Sequence, residues 1–326
     1  SIESSVSNDL DIVLSGANQK SENEIKELQT TWEFGLKKGS VSALNYNYGW
    51  MVFEKMEGNQ SDITVSGVTI DGVGNTYPIY NLPNGRFLTF INLNNFPSGS
   101  VKNIGFKTTF SNCPKKVNEN DLNPEESFKV KIGWACNDQY SAGLFDAECN
   151  NLTSVDFKAI FISSNIQSLE TKAYDSQGVF QESLDINICD NFSYEVKCGN
   201  NSTVELLNSV FKMTTPDGLS IEKITIVYFE GEDETSPIEE KDLLNNSIKK
   251  ELLISDYIDA VAESNWEGLH NILVKVYFKG GCDFSFTKPV TFQITGEDYC
   301  GNTLSSNISS QKATVEGVAI NDLKIE

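Results

Sequence analysis

The chain has 326 residues, enough for about two ordinary domains that each bury a core of their own. Its formal net charge is -21, and Arg86 is the sole arginine among 25 Lys+Arg. That balance excludes a nucleic-acid binder, which needs a basic footprint and arginine forks, and it works against docking on anionic lipid.

No run of about eighteen apolar residues occurs, so no membrane insertion is predicted. The opening Ser1-Ile2-Glu3-Ser4-Ser5 lacks the basic and apolar segments of a signal peptide, which points to a removed signal or to an excerpt of something longer. Ser21 to Leu28 reads as a helical turn or two, with Ser21 as cap and Glu24 three residues on. Tyr46, Tyr48 and Trp50 alternate, so on a strand they share one face. Such a row is either a platform on which sugar rings stack or one side of a packed core, where aromatics usually go.

Ile63 to Ile70 alternates β-branched and polar residues as a strand does, Asn84-Gly85 reads as a turn, and Phe128 to Trp134 is a further strand. Asp175 to Gly178 is a turn, Ser255 to Ala262 a second short helix, and Ile272 to Phe278 a strand. The fold class is therefore all-β.

The two halves repeat one plan. Trp32–Lys37 matches Phe192–Lys197, and Ile63–Ile70 parallels Leu219–Ile226. Asn103–Cys113 follows the plan of Asn271–Cys282, and Phe128–Asn137 that of Val290–Asn302. Ser1-Ile2-Glu3, Ser168-Leu169-Glu170 and Lys324-Ile325-Glu326 look like one phase of three successive units, as in a slice of a tandem array. The boundary falls near residue 165, giving two immunoglobulin-like β-sandwich repeats over residues 1–165 and 166–326. Serially linked sandwiches make a stiff stalk.

Seven cysteines without a CxxC, beside the lone His270, give a zinc site poor support and favour disulfides in an oxidising compartment. Cys113 and Cys136 each end a strand, and Cys282 and Cys300 hold the corresponding places. The preferred bonds are therefore Cys113–Cys136 and Cys282–Cys300, against the alternative of small buried thiols left reduced. Cys189 and Cys198 can pair only if the chain turns near Asp190-Asn191, and Cys149 is the candidate odd thiol.

Catalytic patterns such as GxSxG, HExxH or a phosphate loop are missing, and His270 reads as a loop histidine, so no enzyme is expected. Glu230, Glu232, Asp233 and Glu234 gather carboxylates as calcium requires, though a charge run is ordinarily a solvated loop. Asn118 to Asp121 with Glu125 and Glu126 offers a comparable acidic loop, and Asn59, Asn151, Asn191 and Asn307 head glycosylation sequons. No cofactor other than calcium is suggested.

The strand ending in Gly-Gly-Cys282, the closing Ile-Thr-Gly-Glu-Asp-Tyr-Cys-Gly-Asn302, the low arginine and the abundant Asn, Lys and Ile together resemble the SprB-like giant repeat adhesins of Bacteroidota. The first half departs from that pattern, reading Trp134-Ala-Cys136-Asn137 without the glycine. The resemblance implies an extracellular, cell-surface gliding-motility adhesin exported by type IX secretion. Its partners would be neighbouring repeats, surface glycans and the secretion or motility machinery. The expected function is a repeat segment acting as stalk and contact surface; a carbohydrate-binding module pair is the alternative, and exposure of the Tyr46/Tyr48/Trp50 row discriminates the two.

Overall fold

The computed structural model describes residues 10–39, 48–73, 77–94, 96–115, 123–135, 138–140, 153–187, 189–244, 249–281 and 288–316. The chain divides into two compact units, Ser1–Ile162 and Ser163–Glu326.

Among the described residues, ten strands build the first unit: β1 (Leu10–Val13), β2 (Glu22–Ile25), β3 (Gln29–Lys38), β4 (Tyr48–Lys55), β5 (Ile63–Ile70), β6 (Ile79–Leu82), β7 (Arg86–Asn92), β8 (Val101–Phe110), β9 (Glu125–Ala135) and β10 (Thr153–Phe161). They form a four-stranded sheet in the order β1-β3-β8-β5 and a six-stranded sheet in the order β2-β10-β9-β4-β7-β6. Period-2 patterning explains why the sheets close on each other. Along β8, Ile104, Phe106, Thr108 and Phe110 are buried, and along β9 so are Phe128, Val130 and Ile132. Trp32 of β3 meets Phe128 at 5.3 Å and Phe157 at 5.5 Å between ring centroids, and Phe53 meets Phe106 at 4.8 Å. Each such aromatic contributes about 1.5–3 kcal/mol by leaving water. The Trp32 Nε1–H donates to Thr108 Oγ1 at 2.8 Å, so the indole enters the core with its polar atom satisfied.

The four-stranded order is the A-B-E-D order of an immunoglobulin sandwich, and β4, β9 and β10 stand as C, F and G in the opposing sheet. The hairpin β6–β7 is inserted between the D-like β5 and the E-like β8. It turns at Asn84 and Gly85, both at positive φ, and extends the second sheet beyond β4.

The second unit continues with β11 (Glu170–Tyr174), β12 (Phe180–Gln181), β13 (Leu184–Asn187), β14 (Asn191–Gly199), β15 (Leu207–Thr214), β16 (Leu219–Glu230), β17 (Glu239–Leu244) and β18 (Glu251–Leu253). Then come the helix α1 (Asp259–Ser264), β19 (His270–Gly280), β20 (Val290–Glu297), β21 (Thr303–Ser305), β22 (Ser309–Gln311) and β23 (Ala313–Glu316). A six-stranded sheet, β12-β11-β14-β19-β16-β17, faces a five-stranded one in which β18-β15-β20-β21 are joined by β22. Tyr194 and Phe292 meet across the gap at 5.7 Å, inside one core that also takes Phe211, Val274, Ile294 and Trp266. All-β sandwiches are thus the architecture of both units.

The sequence matches fall on strands with corresponding places: β3 with β14, β5 with β16, β8 with β19 and β9 with β20. The order β1-β3-β8-β5 recurs as β11-β14-β19-β16, with a register shift in both β5–β8 and β16–β19. The matches are not mutually in register, however. Trp32 pairs with Phe106 and Phe192 with Phe278, whereas matching Asn103 to Asn271 sets Phe106 against Val274, a slip of four residues that preserves the buried face.

Two local expectations changed. Ser21–Leu28 is not helical: Glu22–Ile25 is the strand β2, laid parallel on Lys158–Phe161 with Ile25 buried and Glu22 paired to Lys158 at 3.3 Å. Tertiary pairing overrode the capping pattern, because one buried side chain gives a helix no apolar stripe. The Ser255–Ala262 helix is present in displaced form, as a 3-10 turn at Ile254–Asp256 and α1 at Asp259–Ser264.

Candidate functional site

Alternation along β4 sends Met51 and Phe53 into the sandwich and leaves Tyr48, Trp50 and Val52 on the outer face of the six-stranded sheet. Cross-strand register then sets Tyr48 beside Asn92, Trp50 beside Phe90, and Val52 beside Leu88, with Tyr80 of β6 beside Leu88 in turn. Trp50, Val52, Leu82, Leu88 and Ala135 form a small buried cluster, with Tyr48, Tyr80, Phe90 and Tyr140 packed half-buried around it. Gly133 makes room for the indole: a Cβ there would lie 2.5 Å from Trp50 Cζ2.

Above this floor lies a groove of ≈ 430 Å³ between Tyr48, Tyr77, Pro78, Tyr80 and Phe90, with Asn92, Asp138 and Gln139 at its rim. Tyr80 meets Phe90 edge-on at 6.2 Å and Tyr140 at 5.3 Å, so the rings brace one another. Burial pushes the Tyr77 phenol pKa above 10.0, against the pull of the Lys102 charge.

Tyr48 and Trp50 do share a face; Tyr46 lies outside the described residues. Trp50 retains 9% exposure and serves as floor, while Tyr48 lines the groove, so the row divides between packing and surface. Sequence reasoning missed Tyr77, Tyr80, Phe90, Asn92, Asp138, Gln139 and Tyr140. The available signal was Tyr80 and Phe90 flanking the Asn84-Gly85 turn, at positions the hairpin register turns to one face.

The acidic loop behaves differently. Glu232 and Glu234 both close on Lys197 Nζ, at 2.7 and 3.0 Å, and Asp233 accepts from the Thr235 backbone N–H and hydroxyl. Those hydrogen bonds hold the Asp233 pKa below 3.8. Glu230 ends β16 exposed. Among the described residues no group of three or more His, Cys, Asp or Glu side chains is placed to hold a metal ion. The other acidic loop, Asn118 to Asp121, lies outside the described residues. Its neighbour Glu126 is buried, and its Oε1 accepts the N–H groups of Gln60 and Ser61 at 2.8 and 3.0 Å. Burial raises its pKa above 4.5, those two hydrogen bonds opposing the rise.

Cys113 and Cys300 are disulfide-bonded, while Cys136, Cys149 and Cys282 lie outside the described residues. Cys113 follows Asn112, whose carbonyl accepts from Ser61 at 2.6 Å beside Glu126, at the start of β9. The expected Cys113–Cys136 bond involves a residue outside the described ones. The expected Cys282–Cys300 bond likewise involves a residue outside the described ones. Cys198 is a buried thiol whose pKa burial pushes up to about 12. Cys189 is exposed, and the straight strand Asn191–Gly199 carries Cys198 away from it, so the conditional pairing of these two is not made.

His270 is structural in its contacts: its ring stacks on Tyr228 at 5.3 Å, and Nδ1 sits 2.9 Å from the Gly268 carbonyl. Of the sequons, Asn59 spends its side-chain amide on the Ser127 backbone, and Asn307 Oδ1 accepts the Leu169 N–H at 2.7 Å. Asn191 opens β14, and Asn151 lies outside the described residues. No described helix is long and apolar enough to cross a membrane.

No family model and no curated protein matches the chain. Among solved structures it is similar to the C-terminal domain of the Streptococcus agalactiae AgI/II polypeptide BspA, at 10% identity and TM-score 0.40, over 92% of this chain and 98% of that one. The C-terminal domain of the Streptococcus pyogenes antigen I/II-family protein AspA gives 9%, 0.36, 93% and 98%. The major pilin subunit BcpA of Bacillus cereus gives 10%, 0.29, 77% and 65%. At these scores the likenesses assign no function, and the sandwich fold stands on its own strand pairing.

Proposed function

We propose that the chain is a section of an extracellular, cell-surface adhesive protein that works by contact and spacing rather than by catalysis. The observation that carries this reading is a pair of separately cored sandwiches in series, with cysteines committed to disulfides, which persist in oxidising, extracytoplasmic surroundings. The acidic charge keeps such a surface soluble and apart from nucleic acid. Its partners are neighbouring repeats of a longer chain, in keeping with the recurring strand order. Within this reading, the resemblance to SprB-like adhesins supports service in gliding motility or attachment, with export by type IX secretion.

Antiserum against the chain should label intact, unpermeabilised producing cells and block their attachment. Labelling only after permeabilisation would remove the surface role. Small-angle scattering tests the spacer: an elongated particle supports it, and a compact globule removes it.

A further inference from the structure

We infer that the groove on the outer face of the first unit's six-stranded sheet binds a neutral saccharide chain. The adhesive reading gives this site its purpose, while the assignment itself rests on the chemistry of the groove. Tyr48, Tyr80 and Phe90 are half-buried around the groove, held on three adjacent strands. Aromatic faces of this kind suit the C–H-rich faces of pyranose rings, and a volume of ≈ 430 Å³ lies in the range of small-ligand sites. The floor is preorganised, because the Trp50 ring is seated over Gly133 and the sheet fixes the spacing of the rings.

The polar rim selects among possible occupants. Asn92 Oδ1 accepts the Asn94 N–H at 2.9 Å, which leaves its amide N–H groups to donate; Gln139 carries an amide that donates and accepts, and Asp138 a carboxylate that accepts only. Together they match vicinal hydroxyls, which supply donors to the carboxylate. Among the described residues no lysine or arginine lines the groove, and Lys102, whose charge reaches Tyr77, is held by Asp71 at 2.8 Å. A phosphate, sulfate or uronate would therefore meet Asp138 with no cation at the rim. A proline-rich peptide also favours aromatic grooves, but it offers carbonyl acceptors and few N–H donors, which leaves Asp138 unmatched. A neutral, hydroxyl-rich chain offers donors to Asp138 and both donors and acceptors to the amides beside it.

The test applies the full chain to immobilised neutral oligosaccharides, anionic oligosaccharides and a proline-rich peptide, beside the variants Tyr80→Ala, Phe90→Ala and Asp138→Asn. Thermal melts confirm that each variant is folded. Retention on neutral oligosaccharides, weakened about tenfold or more by either ring deletion, is the expected result. Asp138→Asn, which keeps an acceptor but loses the charge, should weaken binding several-fold. Retention on the anionic set or the peptide instead, retention unchanged in all three variants, or no retention at all overturns the assignment. Antiserum labelling and blocking of attachment do not depend on that outcome, so the adhesive reading fails or stands separately.

Discussion

The two units share the A-B-E-D sheet order yet fill the interval between D and E in opposite ways. In the first, the inserted chain folds as β6–β7 and lengthens the sheet beside β4, so that Tyr48, Trp50, Leu88, Phe90 and Tyr80 form an apolar outer face. In the second, β17 joins the sheet of β16, while β18 and α1 go to the other side, packing Ile254, Ile258 and Val261 into the main core. The outer face of that six-stranded sheet sets a charged ladder beside a small buried cluster of Val227, Phe229 and Leu273, with Lys197 over the Phe229 ring. Lys172, Glu195, Lys275, Thr225 and Asp242 face one another across five strands. Glu195 binds Lys275 at 2.8 Å and accepts the Tyr174 hydroxyl at 2.6 Å, while Asp242 binds Lys223 at 2.8 Å and accepts from Thr225. These partners hold the Glu195 pKa below 4.5, against its burial, and the Asp242 pKa below 3.8. The same frame thus presents an aromatic groove in one unit, and in the other a small apolar cluster flanked by paired charges. The difference lies in a short insertion rather than in the sandwich.

Truncating the floor should break the comparison most strongly. Trp50→Ala empties the centre of the outer cluster and should cost about 3 kcal/mol in denaturant unfolding, with saccharide binding lost alongside. Gly133→Val fills the space beneath the indole and should cost about 2 kcal/mol through overpacking; a variant as stable as the parent would show that Trp50 has another seat.

A smaller effect is expected at Glu126. Its pKa is raised in the folded state, so its contribution favours the fold below the ordinary glutamate value of 4.5 and is lost as pH rises through the raised value. The stability difference between the parent and Glu126→Gln should therefore shift toward the variant as pH climbs from about 4.5. A difference that stays flat with pH would mean that the two backbone N–H groups cancel the effect of burial, and one that rises with pH that they outweigh it. The ladder should respond least: Lys275→Met is expected to change stability by about 0.5 kcal/mol, and less in high salt, because its pair is partly exposed.

Much of the frame was legible in the sequence, since Ile63–Ile70 and the buried alternation of Phe128–Ile132 and Ile272–Phe278 follow directly from a two-residue period. What period alone does not carry is which sheet receives a strand and which pole of the sandwich a strand end reaches. The cysteine expectation read Cys113 and Cys136 as strand ends; β8 does end at Phe110, three residues before Cys113. Non-reducing peptide mapping should recover Cys113 and Cys300 in disulfide-linked peptides, with Cys198 alkylated only after unfolding; a Cys113 or Cys300 thiol found free would contradict the structure. The groove was half legible. Tyr48 and Trp50 are neighbours by alternation, whereas Tyr80, Phe90 and Asp138 join them only through the pairing of β4 with β7 and the placing of the segment after β9. Likewise, the acidic run from Glu230 to Glu234 gave no sign of Lys197, which lies over thirty residues earlier in the chain and reaches it across the sheet.

The most direct measurement is adhesion under flow of beads coated with the full chain to a neutral-polysaccharide surface. It compares a groove variant, Tyr80→Ala with Phe90→Ala, with a ladder variant, Glu195→Gln with Lys275→Met. The account predicts that the groove variant detaches at low shear while the ladder variant holds as the parent does. Equal adhesion of the groove variant and the parent, or loss with the ladder variant alone, would contradict it.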